Sequence, residues 1–196
     1  MKHAKMNLRN KRGLKTDMTE TNQERESRYC RQTKVIQTHH VFPFDSNYHG
    51  TLFGGKLMSM IDDCAAISGE RFGRTTNVTA SVDTLNFIKP LPTGHSVCID
   101  TFVSGAGKTS MEIFTKVTGE NLRTGERYLA ATCFLTFVAL PDENGNKVCL
   151  PKIVPETVEE KFINSGYEER RKKRRADLDY QKQLHEHLTI EIPWAD

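Results

Sequence analysis

Two adjacent carboxylates, Asp62 and Asp63, stand inside one of the most apolar stretches of this 196-residue chain. Leu57, Met58, Met60, Ile61, Cys64, Ala65, Ala66 and Ile67 surround them and fall on every side of a helical wheel, which predicts a buried helix. An unpaired charge in such surroundings is costly, so each acid needs a partner or a task. Successive helical residues point about 100° apart, so the two acids do not form a paired-carboxylate site. The helical neighbours of Asp62 are Met58, Ser59, Ala65 and Ala66, and the two alanines leave open volume beside it. A buried acid with room next to it suits a general base or a nucleophile, whereas Asp63 is expected to pair with a base or cap a strand.

The start of the same helix offers a second chemical feature. Phe53, Gly54 and Gly55 lead into it, and the glycines leave bare backbone N–H groups at the positive end of the helix dipole, a place for an oxyanion. Seven residues before Gly54, Asn47 supplies an amide that can either orient water or a carbonyl, or shape its own loop. Asp62 lies about 10 Å along the helix axis from Gly55, at about 1.5 Å per residue. A base acting through one water must be closer than that to the reacting carbon. The economical solution is a two-fold dimer in which Asp62 of one chain faces the Asn47 and Gly55 end of the other.

The elements that must position these groups can be read from the apolar pattern. Thr33 to Phe42 is β-branched and partly alternating, a first strand ended by Pro43 and Asp45-Ser46-Asn47. The helix closes at Gly69 and Gly73-Arg74. Val78 to Ile88 alternates, with Thr79, Ser81 and Asp83 on one face and Val78, Ala80 and Val82 on the other. Strands follow at Val97 to Val103, Ser110 to Val117 and Arg127 to Leu140, with a glycine-rich turn at Ser104 to Lys108 and a loop at Thr118 to Gly125. Short connections predict antiparallel neighbours. One apolar helix and one antiparallel sheet make an α+β layer fold in which the sheet wraps the helix. The expected organisation is a disordered basic arm over 1–31, a folded domain over 32–154, and a charged helical tail over 155–196. In the tail Val158, Phe162 and Ile163 are candidates to dock, and Glu168 to Arg175 is expected to be solvated.

Charge follows the same division. Residues 1–31 carry nine Lys/Arg against four Asp/Glu, residues 32–166 carry twelve against fourteen, and residues 167–196 carry seven of each. A net charge of +3 is too small to argue for nucleic acid, and the basic run at Arg170 to Arg175 has acidic neighbours on both sides, Glu168 and Glu169 before it and Asp177 and Asp179 after it, as a solvated helical face does. Five cysteines without a C-x-x-C pair read as reduced thiols, and neither a signal segment nor a membrane span is seen. A cytoplasmic protein is expected, with no nucleic-acid or membrane partner and no metal site.

The pattern N-x-x-G-x-x-F-G-G-x-x-M-x-x-x-D from Asn47 to Asp62 resembles the hotdog-fold acyl-CoA thioesterases, in particular the acyl-CoA hydrolase branch. Two further stretches agree in order and spacing, V-T-A-S-V-D-T-L-N-F-I-K-P at Val78 to Pro90 and G-K-T-S-M-E-I at Gly107 to Ile113. The resemblance spans about residues 33–160. It implies hydrolysis of acyl-CoA to a free acid and CoA without metal or organic cofactor. It places Asp62 as base or nucleophile, with Asn47 as its partner across the dimer and Thr79 holding the attacking water. It implies CoA binding by Asn86, Lys89, Pro90, Gly107, Lys108, Thr109 and Ser110, and a homohexamer built as a trimer of dimers. Two other readings share the fold. A dehydratase would use a loop histidine such as His49 with the helix acid, and a non-catalytic acyl-CoA sensor would need a DNA-binding module that residues 1–31 are too short and polar to form.

Overall fold

The computed structural model describes residues 25–191 and Trp194; most of the arm expected to be disordered, residues 1–24, lies outside that range. Strand β1 (Ser27–Tyr29) runs into a one-turn helix α1 (Cys30–Thr33) and strand β2 (Val35–His40), followed by helix α2 (Gly54–Gly73). Strands β3 (Asn77–Phe87), β4 (Ser96–Ala106), β5 (Ser110–Glu120), β6 (Arg127–Ala139) and β7 (Lys152–Val154) come next, then helices α3 (Val158–Ser165) and α4 (Tyr167–His187). The fold is α+β. A five-stranded antiparallel sheet of order β2-β4-β5-β6-β3 curves around α2, which packs against all five strands.

Helix α2 buries one stripe, Leu57, Ile61, Cys64, Ala65, Ser68, Gly69 and Phe72, at the three- and four-residue spacing of a helix face. It ends at Arg74, whose backbone is left-handed (φ 50°) and whose N–H closes on the Glu70 carbonyl. The helix is not enclosed on every side, as its composition led one to expect. Met58 and Ile67 are 44% and 38% exposed, on opposite sides of the helix, and Met58 is on the side of Asp62. Strand β3 is itself a sheet edge, with Val78, Val82, Phe87 and Ile88 exposed. An open edge strand with apolar side chains is a surface that ordinarily acquires a cover.

Two departures from the expected strand pattern shape the site. Only β4–β5 and β5–β6 are hairpin neighbours; β3 pairs with β6 at the far edge, and the link 88–95 crosses the end of the curved sheet to reach β4 beside β2. Ile88 and Lys89 hang from the Ala130 carbonyl at one end of that link, and His95 accepts from Val41 at the other. The alternation of β3 is broken by bulges between Thr79 and Ser81 and between Val82 and Thr84. Thr79 therefore turns toward α2, while Ser81 and Asp83 bond to each other on the opposite face.

Both chain ends are more integrated than their composition suggested. From Arg25 the chain is already part of the fold. Strand β1 pairs in parallel with β7, Arg25 donates to the carbonyls of Gly107 and Leu150, and Cys30 is fully buried. Of the three tail residues expected to dock, only Ile163 does, in a cluster with Cys30, Phe102 and Phe114; Val158 and Phe162 stay 87% and 80% exposed. The run expected to be solvated contains Arg170 and Arg174, which reach Glu112 near the start of β5. Glu112 is completely buried and also accepts from Ser104 at 2.7 Å. Tyr167 lies on the bare backbone of Gly105, where an added Cβ would stand 2.1 Å from its ring.

The cysteines are all free. Burial raises Cys30 and Cys133 to about 12, with the charges of Glu160 and Asp83 next in effect, and raises Cys64 to about 11, with Asp63 next. These thiols stay protonated well past the ordinary value of 9.0, so the folded state loses stability as pH rises from there toward 11–12. In native protein a thiol reagent should label exposed Cys149 fast, and Cys30, Cys64 and Cys133 only on unfolding, which mass spectrometry of the labelled peptides would check.

Candidate active site

The crossing link 88–95 and the start of α2 enclose an open groove of about 460 Å³. Leu52, Leu57, Phe87, Ile88 and Leu91 supply apolar walls, and Asn47, Thr51, Gly54, Lys89 and Pro90 complete the lining. Sequence spacing alone did not point to Thr51, Phe87 or Leu91.

At the groove's inner end, helix α2 begins without a capping side chain. Its first intrahelical bond runs from the Leu57 N–H to the Phe53 carbonyl, leaving the amides of Gly54, Gly55 and Lys56 ahead of it. The Phe53 ring lies under Gly55 so closely that a Cβ there would be 2.6 Å away, which keeps this end of the helix bare. Asn47 holds its loop together: its carbonyl oxygen accepts from the His49 and Thr51 amides and its NH₂ donates to the Thr51 hydroxyl. The loop-shaping role and a place in the groove coexist at this residue. His49 is exposed, its ring tilted against that of Tyr48, and it does not line the groove, so the groove's lining holds no histidine of the kind a dehydratase reading requires.

Asp62 sits about two helical turns further on and does not line the groove of its own chain. It is half-buried on the flank of α2 that β3 leaves open, and one carboxylate oxygen accepts a 2.7 Å bond from the Thr79 hydroxyl. The other has no hydrogen-bond partner among the described residues. Asp63, expected to pair with a base, is exposed and forms no ion pair among the described residues.

The remaining sequence candidates divide between the two ends of the sheet. Lys89 and Pro90 line the groove, and the Lys89 ammonium lies over the Tyr128 ring at 5.8 Å from its centroid. Asn86 pairs with Thr132 near the same end and is exposed. Gly107 to Ser110 form the β4–β5 turn at the opposite end, beside Ala139. There Gly107 is buried, its N–H donates to the Ser110 carbonyl and its own carbonyl accepts from Arg25, so it offers no free backbone group to a ligand. Lys108 is exposed, with Thr109 and Ser110 partly so. Eleven residues of β3 separate the two ends, about 30 Å of strand.

With this geometry in place, the likenesses to known proteins are specific. Residues 49–126 match the Thioesterase superfamily family model. The chain is 48% identical over 169 residues to YkhA of Bacillus subtilis, described as an uncharacterized acyl-CoA thioester hydrolase, covering 86% of this chain and 98% of that protein. Among solved structures, acyl-CoA hydrolase from Staphylococcus aureus in complex with butyryl coenzyme A and coenzyme A superposes with a TM-score of 0.78 at 35% identity, covering 82% of this chain and 98% of that one. The S. aureus enzyme has also been solved with one aspartate, one threonine or one asparagine changed to alanine. An apo-hexameric acyl-CoA thioesterase superposes with a TM-score of 0.75 at 37% identity, over 78% and 97% of the two chains. Sheet order, central helix and these identities lead to one placement: the chain belongs to the hotdog-fold acyl-CoA hydrolase family of the thioesterase superfamily.

Proposed function

We propose that the protein hydrolyses acyl-CoA thioesters to a free acid and CoA, in a groove completed by a second copy of the chain. The observation that carries this reading is the separation of Asp62–Thr79 from the Asn47–Gly54 groove within one chain, together with the uncovered edge of β3. Antiparallel pairing of two β3 strands about a two-fold axis near Val82 places Thr79 of one chain within a residue or two of Phe87 of the other. That arrangement brings Asp62 to the partner's groove and covers Val78, Val82 and Met58. It also brings the Gly107 to Ser110 turn of one chain toward Lys89 of the other, so that one CoA can run between them.

In the proposed reaction the helix amides of Gly54 and Gly55 hold the thioester oxygen as it becomes an oxyanion. The Asp62 oxygen not bonded to Thr79 takes a proton from water, whose oxygen attacks the carbonyl carbon. The carbon–sulfur bond then breaks and the CoA thiolate recovers the proton. Asn47 orients the carbonyl or the water. No metal and no organic cofactor enters this route. Three alanine replacements in the S. aureus enzyme support the assignment: its asparagine precedes its aspartate by 15 residues and its threonine follows by 17, the intervals between Asn47, Asp62 and Thr79. The hexameric relative supports further assembly of the dimers.

Thiol release from a panel of acyl-CoA substrates tests the reading, with exposed Cys149 replaced by Ser so that the reagent meets no fast protein thiol. Stoichiometric CoA and free acid are expected. Binding without turnover across the panel would instead identify an acyl-CoA sensor.

A further inference from the structure

The wall of the groove is pinned by a residue that no motif singles out. The link 88–95 leaves β3 and returns to β4, and Tyr128 on β6 meets both of its ends. Near the first end, the Lys89 ammonium lies over the Tyr128 ring, 5.8 Å from the centroid. At the last, His95 Nδ1 and the Tyr128 hydroxyl share a 3.0 Å hydrogen bond, and the two rings meet edge-on at 6.0 Å. Beneath the ring is Gly119, the cross-strand neighbour of Tyr128 on β5, where an added Cβ would come within 2.4 Å of the ring carbon bearing the hydroxyl. An aromatic lying flat on a strand glycine covers the bare backbone and has its own orientation fixed by it. Partial burial, with the Glu126 charge second, raises the Tyr128 pKa, so the phenol is neutral and able to serve His95 at ordinary pH.

We infer that Tyr128, seated on Gly119 and tied to His95, is a positioning residue that holds the Lys89 ammonium at the groove mouth to meet a phosphate of the substrate. The inference rests on the acyl-CoA reading above and adds how the cation is held. A lysine is a flexible point charge whose rotamer freedom is lost when it binds an anion. An aromatic face within about 6 Å of the ammonium restricts that freedom in advance, without competing as a carboxylate would. Nothing in the arrangement touches the reacting carbon, so the effect belongs to binding of the phosphate-bearing part.

The test compares Tyr128→Leu, which covers Gly119 but has no π face, with the parent and with Tyr128→Phe, which keeps the ring. For an acyl-CoA, Tyr128→Leu should raise KM about two- to fivefold with kcat changed less than twofold, and Tyr128→Phe should fall between. For the same acyl group on pantetheine, which lacks every phosphate, KM should not move. In a Lys89→Ala background Tyr128→Leu should cost nothing further. Equal losses on both thioesters, or a full additional loss without Lys89, would show that Tyr128 only stiffens the fold and would overturn the inference. Titration of CoA itself by calorimetry gives the same comparison without turnover. A parent that binds CoA but hydrolyses no thioester therefore refutes the proposed reaction and leaves this inference open to support or refutation by the binding constants.

Discussion

Asp62→Asn should abolish hydrolysis, lowering kcat about 10²- to 10⁴-fold with KM changed much less, the loss expected when a general base is removed while the groove stays intact. The substitution keeps the shape and keeps an acceptor for the Thr79 hydroxyl, so the fold should be unaffected. In the single chain Asp62 is only half-buried, bonded to the Thr79 hydroxyl and without an ion-pair partner among the described residues. Its cost to the fold is therefore small until a second chain closes over it. On the proposed reading the carboxylate serves the chemistry and not the stability of the monomer, and kcat with melting temperature measured on one preparation separates the two.

The second large effect concerns a different carboxylate. Glu112 is fully buried in β5 and is matched by Arg170 and Arg174 from α4 at 2.8 and 2.7 Å, with Arg174 also 3.3 Å from Asp83. Arg170 also covers the Phe134 ring at 4.2 Å. Replacing both arginines with Met leaves a charge buried without a partner, which costs about 3–5 kcal/mol. For a domain of this size that is a fall of roughly 6–20 °C in melting temperature. Changing Glu112 to Met in the same background should recover most of it, because the orphaned charge is then gone. A double-arginine variant that melts like the parent would show α4 to be an appendage of the fold, as its composition suggested.

That contrast shows how legible the molecule was. Helix α2 and the three long strands β4 to β6 follow from apolar periodicity, which reports burial along a single segment. Asp62, Thr79, Asn47 and Gly54 stood out because a charge in an apolar helix and a glycine pair at a helix start are local anomalies. What depends on contact between distant segments was hidden. The charged run at Glu168 to Arg175 reads as solvated because its partner, Glu112, lies 58 residues upstream of Arg170 in an otherwise apolar strand. Bulges in β3 put Thr79 on a different face from Ser81, against the alternation of their residue types. The link 88–95 is one of the short connections that predict antiparallel neighbours, yet it crosses the end of the sheet and builds the groove. Gly107 matched a motif, yet its backbone groups are already bonded to Arg25 and Ser110.

The account stands on a site divided between two chains, and mixing two inactive variants tests that division directly. Asn47→Ala and Asp62→Asn chains, each inactive alone, should regain about a quarter of parental turnover after unfolding and refolding together, since half of randomly paired dimers are mixed and each mixed dimer carries one intact site. Mixtures that stay as inactive as their components, while size and mass measurements show that the chains have exchanged, would contradict it.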